Sequence, residues 1–317
     1  MLRSAFGLLS PAGPKARLSI LIFHRVLGEI DPLFPGEPDV RRFDHIVGWL
    51  AKWFRVLPLD QAVARLRAGD LPARAAAITF DDGYADNATN ALPILQRHGV
   101  PATFFIATSF LDGGRMWNDT VIESVRRAPA DTADLAVIGL GPISLRGLEA
   151  RRSAIGQLLA HVKHMAPAQR GDAVVQIQRA LGVDACATPM LTTAQLRGLR
   201  DAGMQIGAHT CTHPILARTP DATARDEIVS SKSALEAALQ QPVPLFAYPN
   251  GKPGSDYTDR HAAMAREAGF DAAVSTAPGT GSCGTDLFQL PRFSPWDRGR
   301  ARYALRLMNN LRLRSGS

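Results

Sequence analysis

The sequence has few of the residues that mark secreted or membrane-spanning chains. Only three of its 317 residues are cysteines, and Cys186, Cys211 and Cys283 lie far apart. An odd and scattered set does not build the disulfide framework of a small secreted domain. No apolar run approaches the roughly 20 residues of a membrane span, and the run at 5–9 is too short for the core of a secretory signal. These absences predict a cytoplasmic protein in a reducing compartment.

Acidic residues are scarce at the two ends of the chain, although not in its body. The formal net charge is +7; residues 1–17 hold three basic residues and no acid, and residues 292–317 hold seven arginines and one acid. A nucleic-acid-binding domain usually carries its charge across a folded face, so nucleic acid is not an expected partner. Basic ends fit either peripheral contact with an anionic surface, such as the inner membrane leaflet, or solvated tails.

Aromatic residues make up only 7% of the chain, but 46% of it is hydrophobic, which is enough for a substantial core. Short apolar runs recur, several of them unbroken, as expected for parallel strands buried on both faces. Helical patterns separate them, and seven strand candidates favour an α/β barrel related to the eight-stranded one. The predicted strands are 19–23, 75–80, 102–107, 204–208, 244–247, 272–275 and 288–292. The predicted helices are 44–54, 88–98, 193–202, 221–239 and 257–268.

Residues 112–190 interrupt this alternation. They are rich in alanine and arginine and mostly helical in pattern, so we interpret them as an insertion or lid. The predicted organisation is a basic segment at 1–17, a barrel at 18–297 that contains the insertion, and a basic helix or tail at 298–317.

Two adjacent carboxylates, Asp81 and Asp82, follow the predicted strand at 75–80 and precede Gly83. Adjacent carboxylates repel each other, so a cation or a divalent metal is their usual partner at a strand end. A plain turn is the alternative, because Asp-Gly is a strong turn signal.

Two histidines four residues apart, His209 and His213, follow another predicted strand. Their spacing allows both to meet one ion, and Pro214 keeps the pair out of a helix interior. Two histidines and one carboxylate at strand ends match a zinc-type site that keeps positions open for water and substrate. Cys211 lies between the histidines, and we expect it to point away as a small apolar residue.

These segments resemble a known family. Residues 79–83 and 209–213 are similar to the first two motifs of the polysaccharide deacetylases, the NodB-homology or carbohydrate esterase family 4 enzymes. Residues 99–105 resemble the strand that follows in that family, and the likeness covers 18–110 and 190–295. The resemblance implies a distorted (β/α)7 barrel and metal-dependent removal of an N-acyl group, usually acetyl from an amino sugar.

By position, the resemblance implies that Asp82, His209 and His213 bind the metal. It also implies that Asp81 is the general base that takes a proton from the attacking water. A metal lowers the pKa of water, and a carboxylate outside the ligand set can accept its proton. Zn²⁺ is the expected ion, with Co²⁺, Ni²⁺ or Mn²⁺ as alternatives.

The third family motif is matched only weakly, around Tyr248-Pro249-Asn250. The resemblance gives these residues a place in substrate binding, with the Asn250 backbone N–H as an oxyanion donor. Ala247 stands where many members carry the arginine that holds the catalytic aspartate. We predict that Arg292, at the end of the last strand, takes that role; a surface arginine of the basic tail is the alternative.

Typical members carry a general-acid histidine near the C-terminus, whereas the last histidine here, His261, lies in a predicted helix. Protonation of the leaving amine still needs an acid of near-neutral pKa. Of the unassigned histidines, only His24 directly follows a strand, which places it at the catalytic edge if that strand is parallel to the others. A subgroup that includes exopolysaccharide N-deacetylases has a similar early aromatic-histidine segment. We hypothesise that His24 is the general acid; a structural histidine is the alternative.

The predicted function is hydrolysis of the N-acetyl group of an amino sugar, in a polysaccharide or a lipid-linked precursor, as in exopolysaccharide biosynthesis. Trp117 and Trp296 would stack on the sugar or serve as packing anchors. One alternative is a deacylase or deformylase of a small amide. Another is a non-catalytic carbohydrate-binding protein, against which the intact pair of Asp81 and Asp82 argues.

Overall fold

The computed structural model describes residues 2–184, 189–294 and 297–313. The chain divides into two compact units, the first comprising Met1–Glu29, Gly36–Asp112 and Leu191–Ser317, and the second comprising Ile30–Pro35 and Gly113–Met190. The second unit includes most of the segment predicted as an insertion. It also takes in a short stretch near the N-terminus that the sequence pattern does not connect with it.

Strands and helices alternate along the first unit, while the second is mainly helical. Along the described residues the strands are β1 (Ser19–Phe23), β2 (Arg55–Val56), β3 (Ala75–Phe80), β4 (Thr103–Ile106), β5 (Thr132–Asp134), β6 (Pro142–Ser144), β7 (Gln205–Ala208), β8 (Leu245–Ala247) and β9 (Ala272–Val274). The α-helices are α1 (Leu2–Leu9), α2 (Val40–Trp53), α3 (Leu59–Ala68), α4 (Leu92–His98), α5 (Trp117–Arg127), α6 (Gly147–Val162), α7 (Pro167–Ala180), α8 (Thr193–Asp201), α9 (Asp221–Leu239), α10 (Asp259–Glu267) and α11 (Arg300–Arg312).

The first unit is built on a curled sheet of seven parallel strands. The order is β1, β3, β4, β7, β8, β9, and β2 pairs with the start of β3. The register sets Phe23 beside Phe80, and Ala208 between Ile106 and Phe246. Parallel strands end at the same edge of a sheet, so the residues that follow β1, β3, β7 and β8 gather there. The predicted α/β fold of the (β/α)7 type is confirmed, in the form of a half-barrel with helices against it.

The prediction of a regular strand at 288–292 is wrong. Leu290 and the following Phe293 make only isolated parallel bridges, to β9 and β1 respectively. Pro291 has no backbone N–H to donate, and the Arg292 N–H donates to a loop carbonyl at 3.0 Å. The segment therefore contacts both end strands of the sheet without forming a ladder with either.

Other element bounds differ from prediction for local reasons. The strands β2, β5 and β6 have two or three residues each, too few to carry a readable periodicity. Helix α9 has its predicted bounds, and α8 begins after Thr192, which forms a capping box with Gln195. Helix α4 begins at Leu92, later than predicted, because Asn87–Ala91 forms a π-helical turn.

Each basic end contains a helix with buried residues, in the part of the chain that the structure describes. Helix α1 buries Phe6, and α11 buries Tyr303 and Leu307. The two helices contact each other, and Arg17 Nη1 donates to the Leu313 carbonyl at 3.1 Å. Among the described helices, none is long and apolar enough to cross a membrane.

The second unit has its own core, as a mostly helical insertion requires. Helices α5, α6 and α7 contribute Val121, Leu158 and Ile177, all fully buried, and β5 and β6 form an antiparallel pair. Arg126 of α5 donates to both carboxylate oxygens of Asp31, at 2.9 and 2.5 Å. This bond ties the short N-terminal stretch to the helices of the unit.

Candidate metal centre and active site

Three candidate metal ligands meet at the carboxyl edge of the sheet. Asp82 follows β3, His209 follows β7 directly, and His213 lies four residues further on. Their ligand atoms lie within 4.8 Å of one another. Asp82 Oδ1 is 3.5 Å from Nε2 of each histidine. The structure therefore brings together the three residues that the sequence motifs indicate.

These donors fit a divalent ion of the zinc type. Asp82 Oδ1 is buried, and no hydrogen bond from the described residues reaches it, although buried carboxylate oxygens normally have a partner. His209 Nδ1 contacts the Ala247 carbonyl at 2.7 Å, which places the ring proton on Nδ1 and leaves Nε2 toward Asp82. One carboxylate and two imidazoles form a ligand set that suits Zn²⁺ and leaves positions for water and substrate.

Burial and charge set the ionisation of the ligands in opposite directions. Burial acts against ionisation of Asp82, but the nearby imidazoles of His209 and His213 outweigh it and hold its pKa below the ordinary value. Burial lowers the pKa of His213 to about 4, so this imidazole is neutral at pH 7. Burial also acts to lower the pKa of His209, but the negative charges of Asp81 and Asp82 outweigh burial and raise this pKa. A cation would compete with that proton, so acid should weaken metal binding.

Asp81 faces a different partner from its sequence neighbour. Arg292 Nη1 lies 2.7 Å from Asp81 Oδ1, and Arg292 Nη2 lies 2.6 Å from Oδ2. Arg292 also donates to the Ser275 carbonyl and to Thr79 Oγ1, and it is only 2% exposed, which excludes a surface arginine. Burial acts against ionisation of Asp81, but the Arg292 charge outweighs it and keeps the pKa of Asp81 below the ordinary value. Asp81 is therefore an oriented carboxylate that can accept a proton.

His24 follows β1 directly, at the same edge of the sheet, where the sequence predicts it. The Asp81 N–H donates to the last carbonyl of β1 at 3.0 Å, so the two residues leave adjacent strands together. Asn87 Nδ2 donates to the His24 carbonyl at 3.0 Å, and buried Asp86 accepts from a backbone N–H of the same loop at 3.1 Å. The charge of His24 contributes to the lowered pKa of Asp81.

The third motif follows β8. The Tyr248 side chain is fully buried, its hydroxyl donates to a backbone carbonyl at 2.8 Å, and its ring stacks on Tyr257 at 3.8 Å. This side chain packs the core, and the role of Tyr248 in substrate binding stays a prediction. Pro249 is also buried. Asn250 adopts φ 59°, and its carbonyl accepts from Thr276 Oγ1 at 2.8 Å in a turn at the carboxyl edge.

The described residues do not test the sugar-stacking role predicted for either tryptophan. Trp117 begins α5 in the second unit, where the Arg170 guanidinium carbon lies 5.1 Å from its ring centroid. Trp296 lies outside the described residues. Both substrate roles therefore stay predictions.

Cys211 lies between the histidines but outside the ligand group. Its Sγ contacts the Glu227 carbonyl at 3.7 Å, and burial raises the pKa of the thiol. A thiol that stays protonated is a poor metal ligand, in agreement with the expectation for this residue.

Sequence reasoning missed Asp86, Asn87 and Glu227, which all contact loops of the site. The first two follow the Asp81-Asp82 motif closely, and that proximity is a signal that could have found them. Glu227 lies inside α9, where no local pattern separates it from a glutamate facing solvent.

A family model described as polysaccharide deacetylase matches residues 68–135 and 161–273. A curated relative named "Putative polysaccharide deacetylase YxkH", from Bacillus subtilis (strain 168), is 21% identical over 279 residues, 87% of this chain and 71% of the relative. Similar solved structures include IcaB from Ammonifex degensii, with TM-score 0.60, 16% identity and coverage of 96% of this chain and 99% of that one. The Streptococcus pyogenes deacetylase PplD in complex with acetate has TM-score 0.58, 20% identity and coverage of 88% and 92%. The chain belongs to the polysaccharide deacetylase family, the NodB-homology hydrolases that act on carbon–nitrogen bonds other than peptide bonds.

Proposed function

We propose that this protein is a metal-dependent hydrolase that removes an N-acetyl group from an amino sugar of a polysaccharide or a lipid-linked glycan precursor. De-N-acetylation of polysaccharides is the activity of its family. The observation that supports the proposal for this chain is the position of the Asp81–Arg292 pair next to the three candidate metal ligands. The Asp81 carboxylate, which accepts two hydrogen bonds from Arg292, lies beside the donor group of Asp82, His209 and His213.

Asp82, His209 and His213 would hold the ion, for which we propose Zn²⁺, with Co²⁺, Ni²⁺ or Mn²⁺ as alternatives. When bound, the ion supplies Lewis acidity, which lowers the pKa of water and polarises the amide carbonyl. Asp81 accepts the proton of the attacking water at a carboxylate oxygen. Each of its oxygens keeps a lone pair beyond the one that Arg292 uses, so the arginine orients the base without blocking it.

His24 and Asn250 complete the proposed machinery. His24 donates a proton to the amine nitrogen as the carbon–nitrogen bond breaks, which lets the amino sugar leave neutral. The Asn250 backbone N–H donates to the oxyanion that develops on the substrate carbonyl. Asp86 and Asn87 hold the backbone beside His24 and so place this acid.

Acetate release from a substrate panel tests this function. We expect release from N-acetylated oligosaccharides or lipid-linked amino sugars, loss of release after chelation, and recovery with Zn²⁺ or Co²⁺. Turnover of small formamides or acyl amides alone would favour the small-amide alternative. Sugar binding without acetate release under every metal condition would contradict an enzymatic role.

We further propose that α1 and α11 contact an anionic inner leaflet, which would bring the enzyme to a membrane-associated glycan. Leu8 of α1 is 85% exposed and Leu305 of α11 is 52% exposed, and the exposed Arg3 and Arg302 stand on the same two helices. Leu313, directly after α11, is 47% exposed. Exposed apolar residues beside basic ones are typical of interfacial helices. Each basic residue close to an anionic surface contributes about 1 kcal/mol.

Co-sedimentation with lipid vesicles tests this contact. We expect binding to vesicles that contain phosphatidylglycerol, weaker binding at high salt, and a marked loss in Leu305→Asp. Leu148→Asp is the matched control, because Leu148 is 42% exposed but lies in the second unit. Equal binding to phosphatidylcholine vesicles, or none to either kind, would remove the proposed contact.

A further inference from the structure

The loop that carries both histidines adopts a conformation that needs support. Thr210 and His213 have φ of 63° and 55°, in the left-handed region that residues other than glycine seldom adopt. Inside the loop, Thr210 Oγ1 donates to the His209 carbonyl at 2.5 Å and accepts from the His213 N–H at 3.1 Å. These bonds link the two histidines to each other, so the attachment of the loop to the fold must come from other residues.

Glu227 of α9 provides that attachment. Its Oε2 accepts from the N–H groups of Cys211 and Thr212 at 2.7 and 2.8 Å, and its Oε1 accepts from Thr212 Oγ1 at 2.5 Å. Hydrogen bonds to an ionised carboxylate are stronger than neutral ones. Carbonyls of the same loop accept from the N–H groups of Thr108 and Ser109, at 3.2 and 3.0 Å. The loop is thus held through its donors by Glu227 and through its acceptors by the turn after β4.

His213 is the ligand that depends most on this attachment. Asp82 is the second residue after β3. The His209 N–H donates to the Ile106 carbonyl at 3.0 Å, and its ring contacts the Ala247 carbonyl. His213 lies beyond the strand, and its backbone N–H is bonded only inside the loop. Its side chain is 16% exposed, against 1% for His209. Whatever holds the loop therefore decides where the third donor lies.

We propose that Glu227 is a positioning residue of the metal centre: its carboxylate holds the loop so that His213 meets Asp82 and His209, and it thereby sets the affinity for the metal. The inference rests on the metal site of the proposed function but not on the substrate. Groups that orient metal ligands from outside the ligand set typically change metal affinity by about 10–100-fold when they are replaced.

Glu227→Gln is the sharpest test, because it preserves the shape and replaces one acceptor oxygen by an NH2 group. We expect Co²⁺ and Zn²⁺ affinities about 10–100-fold weaker in competition with a chelator, and an altered visible absorption spectrum of the Co²⁺-loaded protein. Asp226→Asn is the matched control: it removes the same charge from the neighbouring, exposed position of α9. It should bind both metals as the wild type does.

Two results would overturn the inference: wild-type affinity and spectrum in Glu227→Gln, or an equal loss in Asp226→Asn, which would indicate a general effect of charge. If circular dichroism shows that Glu227→Gln does not fold, Thr212→Val decides, since it removes only the hydroxyl bond. Weaker Co²⁺ binding in that variant supports the role of Glu227, and unchanged binding contradicts it. Wild-type protein that binds Co²⁺ but releases no acetate contradicts the proposed function and leaves this inference standing.

Discussion

Two arginine–carboxylate pairs, one in each unit, have similar geometry and different surroundings. Arg292 grips Asp81 at 2.7 and 2.6 Å, and these side chains are 0% and 4% exposed. Arg126 grips Asp31 at 2.9 and 2.5 Å, with 32% and 13% exposed. A fully buried charge that loses its partner cannot be hydrated, whereas water can hydrate a partly exposed one. The same pair of residue types therefore serves stability in the second unit and, in the first, also holds a candidate catalytic base.

Asp81→Asn should have the largest effect on acetate release. Comparison with Asp31→Asn would show whether only one of the two pairs is needed for activity. Acetate release is expected to fall about 10²–10⁴-fold, because an amide cannot accept the proton of water. Metal content should stay at the wild-type level, since Asp82 is intact. Asp31→Asn makes the same change in the other pair and should leave the initial rate within about twofold. An Asp81→Asn enzyme with near-wild-type turnover would show that Asp81 is not the base.

Arg292→Met should destabilise the protein more than the equivalent change in the other pair, Arg126→Met. It leaves the Asp81 carboxylate buried without its cation, and we expect a loss of about 3–5 kcal/mol in the free energy of unfolding. Arg126→Met should lose about 1 kcal/mol, because water reaches that pair. Urea unfolding at neutral pH measures both values. Equal losses would mean that burial does not distinguish the two pairs.

His24→Gln tests whether His24, at the same edge of the sheet as Asp81, is the general acid. Turnover should fall about 10²-fold, and the pH–rate profile should lose its basic limb, because no proton donor remains for the leaving amine. His98→Gln is a control, since His98 Nε2 pairs with Asp44 at 2.7 Å on the outside of the unit. Wild-type turnover with an unchanged basic limb would remove His24 from the mechanism.

The smallest effect should come from Asp31 and should depend on pH. Burial acts against its ionisation, but the hydrogen bonds from Arg126 and the Leu33 N–H outweigh it, so the pKa of Asp31 is lowered. A lowered folded-state pKa stabilises the fold above the unfolded value of about 3.9 and loses that contribution as pH falls through the folded one. Asp31→Asn should therefore cost about 1 kcal/mol at neutral pH and progressively less in acid. Urea unfolding across this range measures the difference, and a constant value would contradict it.

Much of the site could be predicted because its residues stand at the ends of strands. The strands β1 and β3 have their predicted bounds, since unbroken apolar runs report burial on both faces. Once the strands are parallel, Asp82, His209 and His24 must share one edge, whatever the details of the loops. The role of Arg292 could be predicted in the same way, because it is the basic residue that ends the last apolar run.

Other parts of the site and fold could not be predicted, because their partners lie far away along the chain. Glu227 and Thr212 are 15 residues apart, and Arg25 and Asp86 are 61 apart, so no local pattern joins them. The attachment of Ile30–Pro35 to the second unit has the same cause, since it depends on a contact with α5.

By itself, the sequence determined most of the sheet strands of the first unit and which polar residues follow them, because hydrophobic periodicity reflects the burial of each segment. The sequence predicted that Arg292 holds Asp81 but left a surface arginine as the alternative, and only the tertiary structure decided between them, by pairing the two residues across 211 positions. The tertiary structure also decided that Tyr248 packs the core and that Glu227 holds the histidine loop. The physical reason is that a hydrogen bond or ion pair depends on distance and burial, and these are set only when the sheet brings separate elements into register.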